Sequence, residues 1–281
     1  MEKKILKYRW WIITASVVFT VAMAGLLSGI KIDPDLKNYF PDSMESMVNT
    51  EKIEEVFGNQ DIIMLLFERE DIINEESLTR IKKIDRLLKR VKGIQKTTSL
   101  FGANRIYGEE GVMYVEPTVR RIPGSEKQRE ELRSVIMEND MVYKVMVSDD
   151  FKATAVLVTL EEDANEDDVF ARIYSILEEH PGSEKLHFGG LPYLRQAIDK
   201  DIKRDGMILI PIALVLMLIF LYLVFRQWRG VWLPFLVVVM SALLGISMIP
   251  ILGWKFYIIS LLVPILLIAV ANDYGIHMIA K

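Results

Sequence analysis

The sequence predicts an α-helical membrane bundle that carries a folded α+β domain of the split-βαβ type. Three observations predict it. Long uncharged apolar runs stand at both ends of the chain, at 10–30 and after residue 206. Charge is segregated: of 38 Asp and Glu, only Glu2 and Asp273 fall outside residues 31–206, whereas eight of the 34 Lys and Arg do. The middle of the chain is therefore net acidic and the apolar remainder net basic, an asymmetry expected of a membrane protein. Between the apolar runs, segments of strand type alternate with segments of helical periodicity. The division is residues 1–30 as tail and first membrane helix, 31–206 as the α+β domain, and 207–281 as membrane helices two to four.

The first helix runs from Trp10 to Ile30 without a charge. At 1.5 Å per residue it spans roughly 30 Å, about one hydrocarbon core. Lys3, Lys4, Lys7 and Arg9 precede it and place the N-terminus in the cytoplasm. The competing reading is a cleaved signal peptide with Ala22-Met23-Ala24 at the cleavage site, although a signal's apolar region is usually shorter, about 7–15 residues. Gly25 and Gly29 form a small-xxx-small pair that permits close helix packing.

In the domain, Asp61–Phe67 reads as a buried strand. Leu78, Ile81, Ile84, Leu87, Leu88 and Val91 keep helical spacing opposite a charged face, giving a helix over 75–91 that Gly93 ends. Ile94–Leu100 reads as a second strand. Ser125-Glu126-Lys127-Gln128 is a capping-box start for a helix to about Glu138. Ala153–Leu160 is a strand, Asn165–His180 a helix and Lys185–Phe188 a short strand. Two strand–helix–strand units of this kind make a sandwich with helices on one sheet face. Gly189-Gly190-Leu191-Pro192 opens a last amphipathic helix that enters the second membrane helix without a linker, so movement of the two is expected to be mechanically linked.

Met207–Phe225, Val231–Leu252 and Phe256–Ala280 are the further membrane helices. Arg226 and Arg229 put the link between the first two of these inside, and Gly253-Trp254-Lys255 becomes a tight outer hairpin. All five tryptophans, Trp10, Trp11, Trp228, Trp232 and Trp254, fall at helix ends, where interfacial anchors belong. Pro264 removes a bond to the Ser260 carbonyl and predicts a kink, read as a static bend. The localisation that follows is a multi-pass plasma (inner) membrane protein with residues 31–206 extracytoplasmic.

Composition excludes several chemistries. With no cysteine there are no disulfides, thiolate zinc sites or cysteine nucleophile. Basic residues are interspersed with acids, so no nucleic-acid surface is formed, and no cofactor is indicated. His180, His187 and His277 belong to no nucleophile constellation. The lone membrane acid is Asp273, within Val270-Ala271-Asn272-Asp273-Tyr274-Gly275-Ile276-His277. A charge mid-helix costs about 2.5–3.5 kcal/mol on insertion scales and faces a bundle interior or wet cavity. Burial raises a carboxyl pKa, which allows reversible protonation near neutral pH. Asn272 and Tyr274 supply hydrogen-bonding groups, and His277 stands one turn on. The competing reading is that Asp273, eight residues before Lys281, reaches solvent at the inner face. An intramembrane aspartyl protease needs a second membrane aspartate, and an Asp/His pair alone supplies too few ligands for a metal.

Four motifs in order carry a resemblance. Ile30-Lys31-Ile32-Asp33-Pro34-Asp35-Leu36-Lys37-Asn38-Tyr39-Phe40-Pro41 follows the first helix, and Val56-Phe57-Gly58 precedes a strand. Phe225-Arg226-Gln227-Trp228-Arg229-Gly230 and Asn272-Asp273-Tyr274-Gly275-Ile276-His277 follow the domain. Together they resemble the first half of a resistance-nodulation-division (RND) exporter of the MMPL-like branch. The resemblance implies a secondary active transporter, not an enzyme, that exports hydrophobic or amphiphilic, often lipid-like, molecules and is driven by the proton motive force. It implies that 31–206 is the porter domain and that Asp273 and Tyr274 belong to the proton relay, with Asn272 and His277 as neighbours. Such exporters normally have two halves, so a missing C-terminal half or complementing subunit is an expected partner, besides bilayer and substrate. A homo-oligomer is also compatible. Two other readings stay open: a membrane-anchored module that binds or senses a lipid or partner, and an accessory factor for protein export.

Overall fold

The computed structural model describes residues 2–41, 43–57, 61–109 and 112–279, with side chains described for all of these except 2–6, 57, 108, 109, 112, 229 and 272–279. In chain order the helices and strands are α1 (Glu2–Gly25), α2 (Glu45–Phe57), β1 (Ile62–Glu68), α3 (Glu75–Leu88), β2 (Ile94–Thr98), β3 (Asn104–Glu109), β4 (Val112–Pro117), α4 (Glu126–Met137), β5 (Ala153–Leu160), α5 (Glu166–Glu179), β6 (Lys185–Gly189), α6 (Leu191–Phe225), α7 (Trp228–Ile251) and α8 (Leu262–Ile279). The chain divides into two compact units, Lys37–Gln196 and a discontinuous unit of Met1–Leu36 with Ala197–Lys281.

The first of these is built on a four-stranded sheet of order β2-β5-β1-β6 with every pairing antiparallel. Strand alternation sends Ile63, Leu65 and Phe67 of β1 into the core, where they sit opposite Val158, Val156 and Thr154 of β5. Ile81, Ile84 and Leu88 of α3 and Val169, Phe170 and Ile173 of α5 complete the same cluster. Each such side chain contributes about 1.5–3 kcal/mol on leaving water. The Asn74 side chain caps α3, accepting from the Ser77 N–H at 2.8 Å. Gly93 does not end that helix: Lys89 is its C-cap. Gly93 instead turns the chain into β2 at φ +91°, where a Cβ would come within 2.9 Å of Val169 Cγ2 on α5. The capping box at α4 is also rearranged. Ser125 accepts from the Gln128 N–H, but Gln128 reaches back to the Gly124 N–H at 2.9 Å.

Two elements in this unit have no counterpart in the pattern reading. One is the hairpin β3–β4, whose stacked Tyr107 and Tyr114 lie 5.4 Å apart. The other is α2, which follows the first apolar helix in sequence.

Among the described residues, three helical stretches are long and apolar enough to cross a membrane: Lys7–Gly29, Leu191–Phe225 and Gly230–Ile251. The described apolar stretch of α8, with the turn before it, is the shorter Ile258–Ala271. Large apolar side chains such as Val18, Val21, Leu216 and Leu233 point outward, as expected of surfaces that face hydrocarbon. α6 is one unbroken helix of 35 residues. It ends where Arg226 turns left-handed at φ +53°, so two residues suffice to link it to α7.

Two expectations are overturned here. Among the described residues nothing lies within 4 Å of a Cβ placed on Gly25 or Gly29, so that pair makes no close contact. Close approach occurs at Gly245 of α7, against Leu267 of α8. Pro264 makes no mid-helix kink, because α8 begins only at Leu262. A proline in the first turn forfeits no intrahelical bond.

Candidate functional site

Asp273, Tyr274, Asn272 and His277 lie on the backbone of α8. Their side chains fall outside the described residues. The described part of the helical unit shows a different constellation, at the end where α1 finishes and the α7–α8 connection begins.

It starts with the cap of α7. Gly253 adopts φ +70°, and the Trp254 N–H returns to the Ile249 carbonyl at 3.0 Å, closing the helix. This turn delivers residues 255–256 to the segment that follows α1. Phe256 N–H donates to the Lys31 carbonyl (2.8 Å), and Asp33 N–H donates to the Phe256 carbonyl (3.0 Å), forming a one-residue parallel bridge between Ile32 and Phe256. Lys255 Nζ donates to Asp33 Oδ2 at 2.6 Å. Asp33 is buried, and its hydrogen bond and charge hold the Lys255 ammonium above the usual lysine range. Deeper in the unit, buried Ser247 on α7 donates to the Met23 carbonyl of α1 at 2.9 Å and to the Leu243 carbonyl at 2.6 Å.

Under the bridge lies an open apolar groove of about 530 Å³. Leu27, Ile32, Ile210, Ile246, Phe256 and Pro264 supply its walls from four separate stretches of chain. Lys203 of α6 stands at its rim, paired with Asp199 at 2.6 Å.

The sheet unit has a larger cleft, about 710 Å³, between α3 and α5. Arg90, Lys92, Asp163, Asp168 and Glu179 line it, so opposite charges alternate and no convergent set forms. Among the described residues no group of three or more His, Cys, Asp or Glu could hold a metal. Two ion-pair centres in this unit are structural. Arg195, at the start of α6, bridges Asp61 and Glu166, each at 2.5 Å, and is held above its ordinary range by those carboxylates against the opposing effect of burial. Arg80 donates to the His180 carbonyl at 2.7 Å and to Glu184 Oε2 at 2.5 Å. Burial pushes the Glu184 carboxyl up, but the nearby Ser77 hydroxyl, its own backbone N–H and Arg80 outweigh it and hold the group below the usual carboxylate range. The other carboxylate oxygen of Glu184 has no hydrogen bond and lies 4.0 Å from Arg69 Nη1.

Apolar helices thus stand on both sides of a folded insertion in the sequence, and a groove lies at the helix ends. The sequence profile of the MMPL family matches residues 38–281, most of the chain. The chain belongs to the MMPL family. No individually curated protein matches it. The MMPL match covers the sheet unit and α6 to α8 together, and MMPL membership makes this a membrane protein of RND transporter type. The resemblance read from the four motifs is thereby shown at the level of the family.

Sequence reasoning missed the Asp33–Lys255 tie and the groove. The tie pairs residues 222 positions apart, and the groove is assembled from four separate stretches of chain. The one available signal was Asp33 itself, an acid three residues beyond an apolar helix, and it points to no particular partner.

Proposed function

We propose that this MMPL protein is a proton-motive-force-driven exporter of hydrophobic or amphiphilic, lipid-like molecules. It works in the plasma membrane, with its N-terminus in the cytoplasm, four membrane helices and the sheet unit outside. The observation that carries this reading is the family match, which runs without interruption from the folded insertion through to the helix bearing Asp273. The sheet order supports a porter-like split βαβ, since β5 lies between β1 and β2. In this reading Asp273 accepts a proton from one side of the membrane and releases it to the other. Tyr274 hydrogen-bonds the carboxyl, and Asn272 and His277 tune it. An acid kept in a membrane span against its insertion cost is suited to that task.

The test is substrate efflux from vesicles that hold the transport-competent protein under an imposed pH gradient. Asp273→Asn is expected to abolish gradient-driven efflux while leaving expression and folding intact. Tyr274→Phe is expected to slow it. Efflux by Asp273→Asn at the unaltered rate would remove the relay assignment.

A further inference from the structure

We propose that the cleft between α3 and α5 is a docking site for an extended polypeptide segment, about six residues long, that carries both acidic and basic side chains. The site lies within the sheet unit and is independent of the export reading.

The fold holds this cleft in shape. β1 and β2 run parallel, since each is antiparallel to β5, and β5 and β6 run parallel, since each is antiparallel to β1. The helices that return the chain within these two pairs, α3 and α5, therefore lie antiparallel. They are tied at both ends. At one end Gly93 brings the chain against Val169 and Ala164, and the Glu161 N–H donates to the Gly93 carbonyl at 2.9 Å. At the other, Arg80 of α3 donates to the His180 carbonyl at 2.7 Å. The lining follows α5 from Asn165 to His180. At 1.5 Å per residue this is about 22 Å, the reach of six or seven extended residues. The volume, about 710 Å³, is within the ~300–1,000 Å³ of ligand sites.

The charges around it are the second observation. Leu87, Val91 and Ile176 form a half-buried apolar floor. Around that floor stand three exposed cations, Arg90, Lys92 and Arg172, and three exposed anions, Glu161, Asp163 and Asp168. Among the described residues none of the six is held in an ion pair. Their neighbours are: Lys89 pairs with Asp85, and Glu166 with Arg195. Helix dipoles account for Asp168 at the start of α5 and Arg90 after α3, but not for Arg172 in the middle of α5. Because opposite signs alternate, a lone anion or cation meets as much repulsion as attraction. The charges are also spread along the cleft rather than gathered at one point, which suits a chain rather than a small zwitterion. A peptide of both signs finds a complement at each step, while its apolar side chains cover the floor.

The test uses the purified chain in phosphatidylcholine nanodiscs and three rhodamine-labelled, end-blocked hexapeptides. These are Lys-Leu-Glu-Lys-Leu-Glu, Lys-Leu-Lys-Lys-Leu-Lys and Glu-Leu-Glu-Glu-Leu-Glu. Fluorescence anisotropy is read against empty nanodiscs. The mixed peptide is expected to bind about tenfold more tightly than either single-sign peptide. General attraction to an acidic domain predicts a different order, with the all-basic peptide first, and that result would overturn the proposal. So would no binding of the mixed peptide above empty nanodiscs. Arg90→Glu is expected to weaken the mixed peptide about tenfold and to strengthen the all-basic one. Arg172→Glu is expected to act in the same way, so the decision does not hang on one variant. Lys127→Glu makes the same change of charge on an exposed position of α4, outside the cleft, and is expected to leave both affinities unchanged. Equal effects of Arg90→Glu and Lys127→Glu would show that net charge alone is read, and would remove the site.

Discussion

The two units of this chain place apolar side chains in opposite ways. In the sheet unit, Ile63, Leu65, Phe67, Ile81, Ile84 and Phe170 are sealed inside, and the helix faces opposite them carry charge. In the helical unit the small interior clusters around Leu221, Val231 and Val238 are outnumbered by apolar side chains that point outward. The first arrangement is a fold that excludes water through its own packing. The second leaves that exclusion to the surroundings and commits its internal contacts to a few polar ties, Ser247 to Met23 and Lys255 to Asp33. Stability in one unit is therefore expected to answer to volume, and in the other to hydrogen bonds and to the bilayer.

That contrast can be broken or sharpened by substitution. The largest expected effect is in the sheet core, where Phe67→Ala should cost about 3–5 kcal/mol, read by denaturant unfolding of the sheet unit followed by hydrogen exchange. A loss of about 3 kcal/mol is expected when Arg80→Ala leaves the buried Glu184 carboxylate with only the more distant Arg69, 4.0 Å away, as its cation. That pair also sets a pH response. The folded Glu184 carboxyl titrates below its ordinary value of 4.5. Its contribution is therefore complete above that pH and lost as pH falls through the lower, folded value. Glu184→Gln should flatten the acid limb of the unfolding profile, and an unchanged limb would show that other carboxylates set it.

Lys255→Met is expected to cost less, about 1 kcal/mol, because the lysine is half exposed, and to show as faster exchange of the Phe256 and Asp33 amides. The smallest effect belongs to the outward face of α1. Val18→Leu should change stability in nanodiscs by less than about 0.5 kcal/mol. A large loss there would mean that the face packs on protein.

The apolar run of β1 and the 3.6-residue stripes of α3 and α5 were legible because all three bury side chains in one core, and burial is what such patterns encode. The hairpin β3–β4 was not, since Ile106, Met113 and Val115 along one of its faces remain exposed. It is held instead by a tyrosine stack and by ties to the end of α4, such as Asn139 to the Asn104 carbonyl. α2 was missed for a related reason: Ile53 and Val56 form no buried stripe. Pro264 was placed correctly in an apolar run, but the position of the helix start, which decides whether a proline bends or begins a helix, depends on the turn at Tyr257–Ser260. At the candidate sites, Asp273 stood out through its cost alone. The groove could not, because no local pattern records which four stretches will meet.

The bridge between Ile32 and Phe256 also has a meaning in time. The helical unit is discontinuous, and its halves are separated in the chain by the whole of Lys37–Gln196. At a synthesis rate of about 5–20 residues per second, tens of seconds pass between the emergence of Ile32 and that of its partner. Throughout that interval Asp33 has no Lys255 and the Met23 carbonyl no Ser247. The sheet unit, by contrast, is complete before most of α6 has been made. The newborn protein is thus expected to close its membrane part last, like a clasp fastened only after the pendant has been threaded.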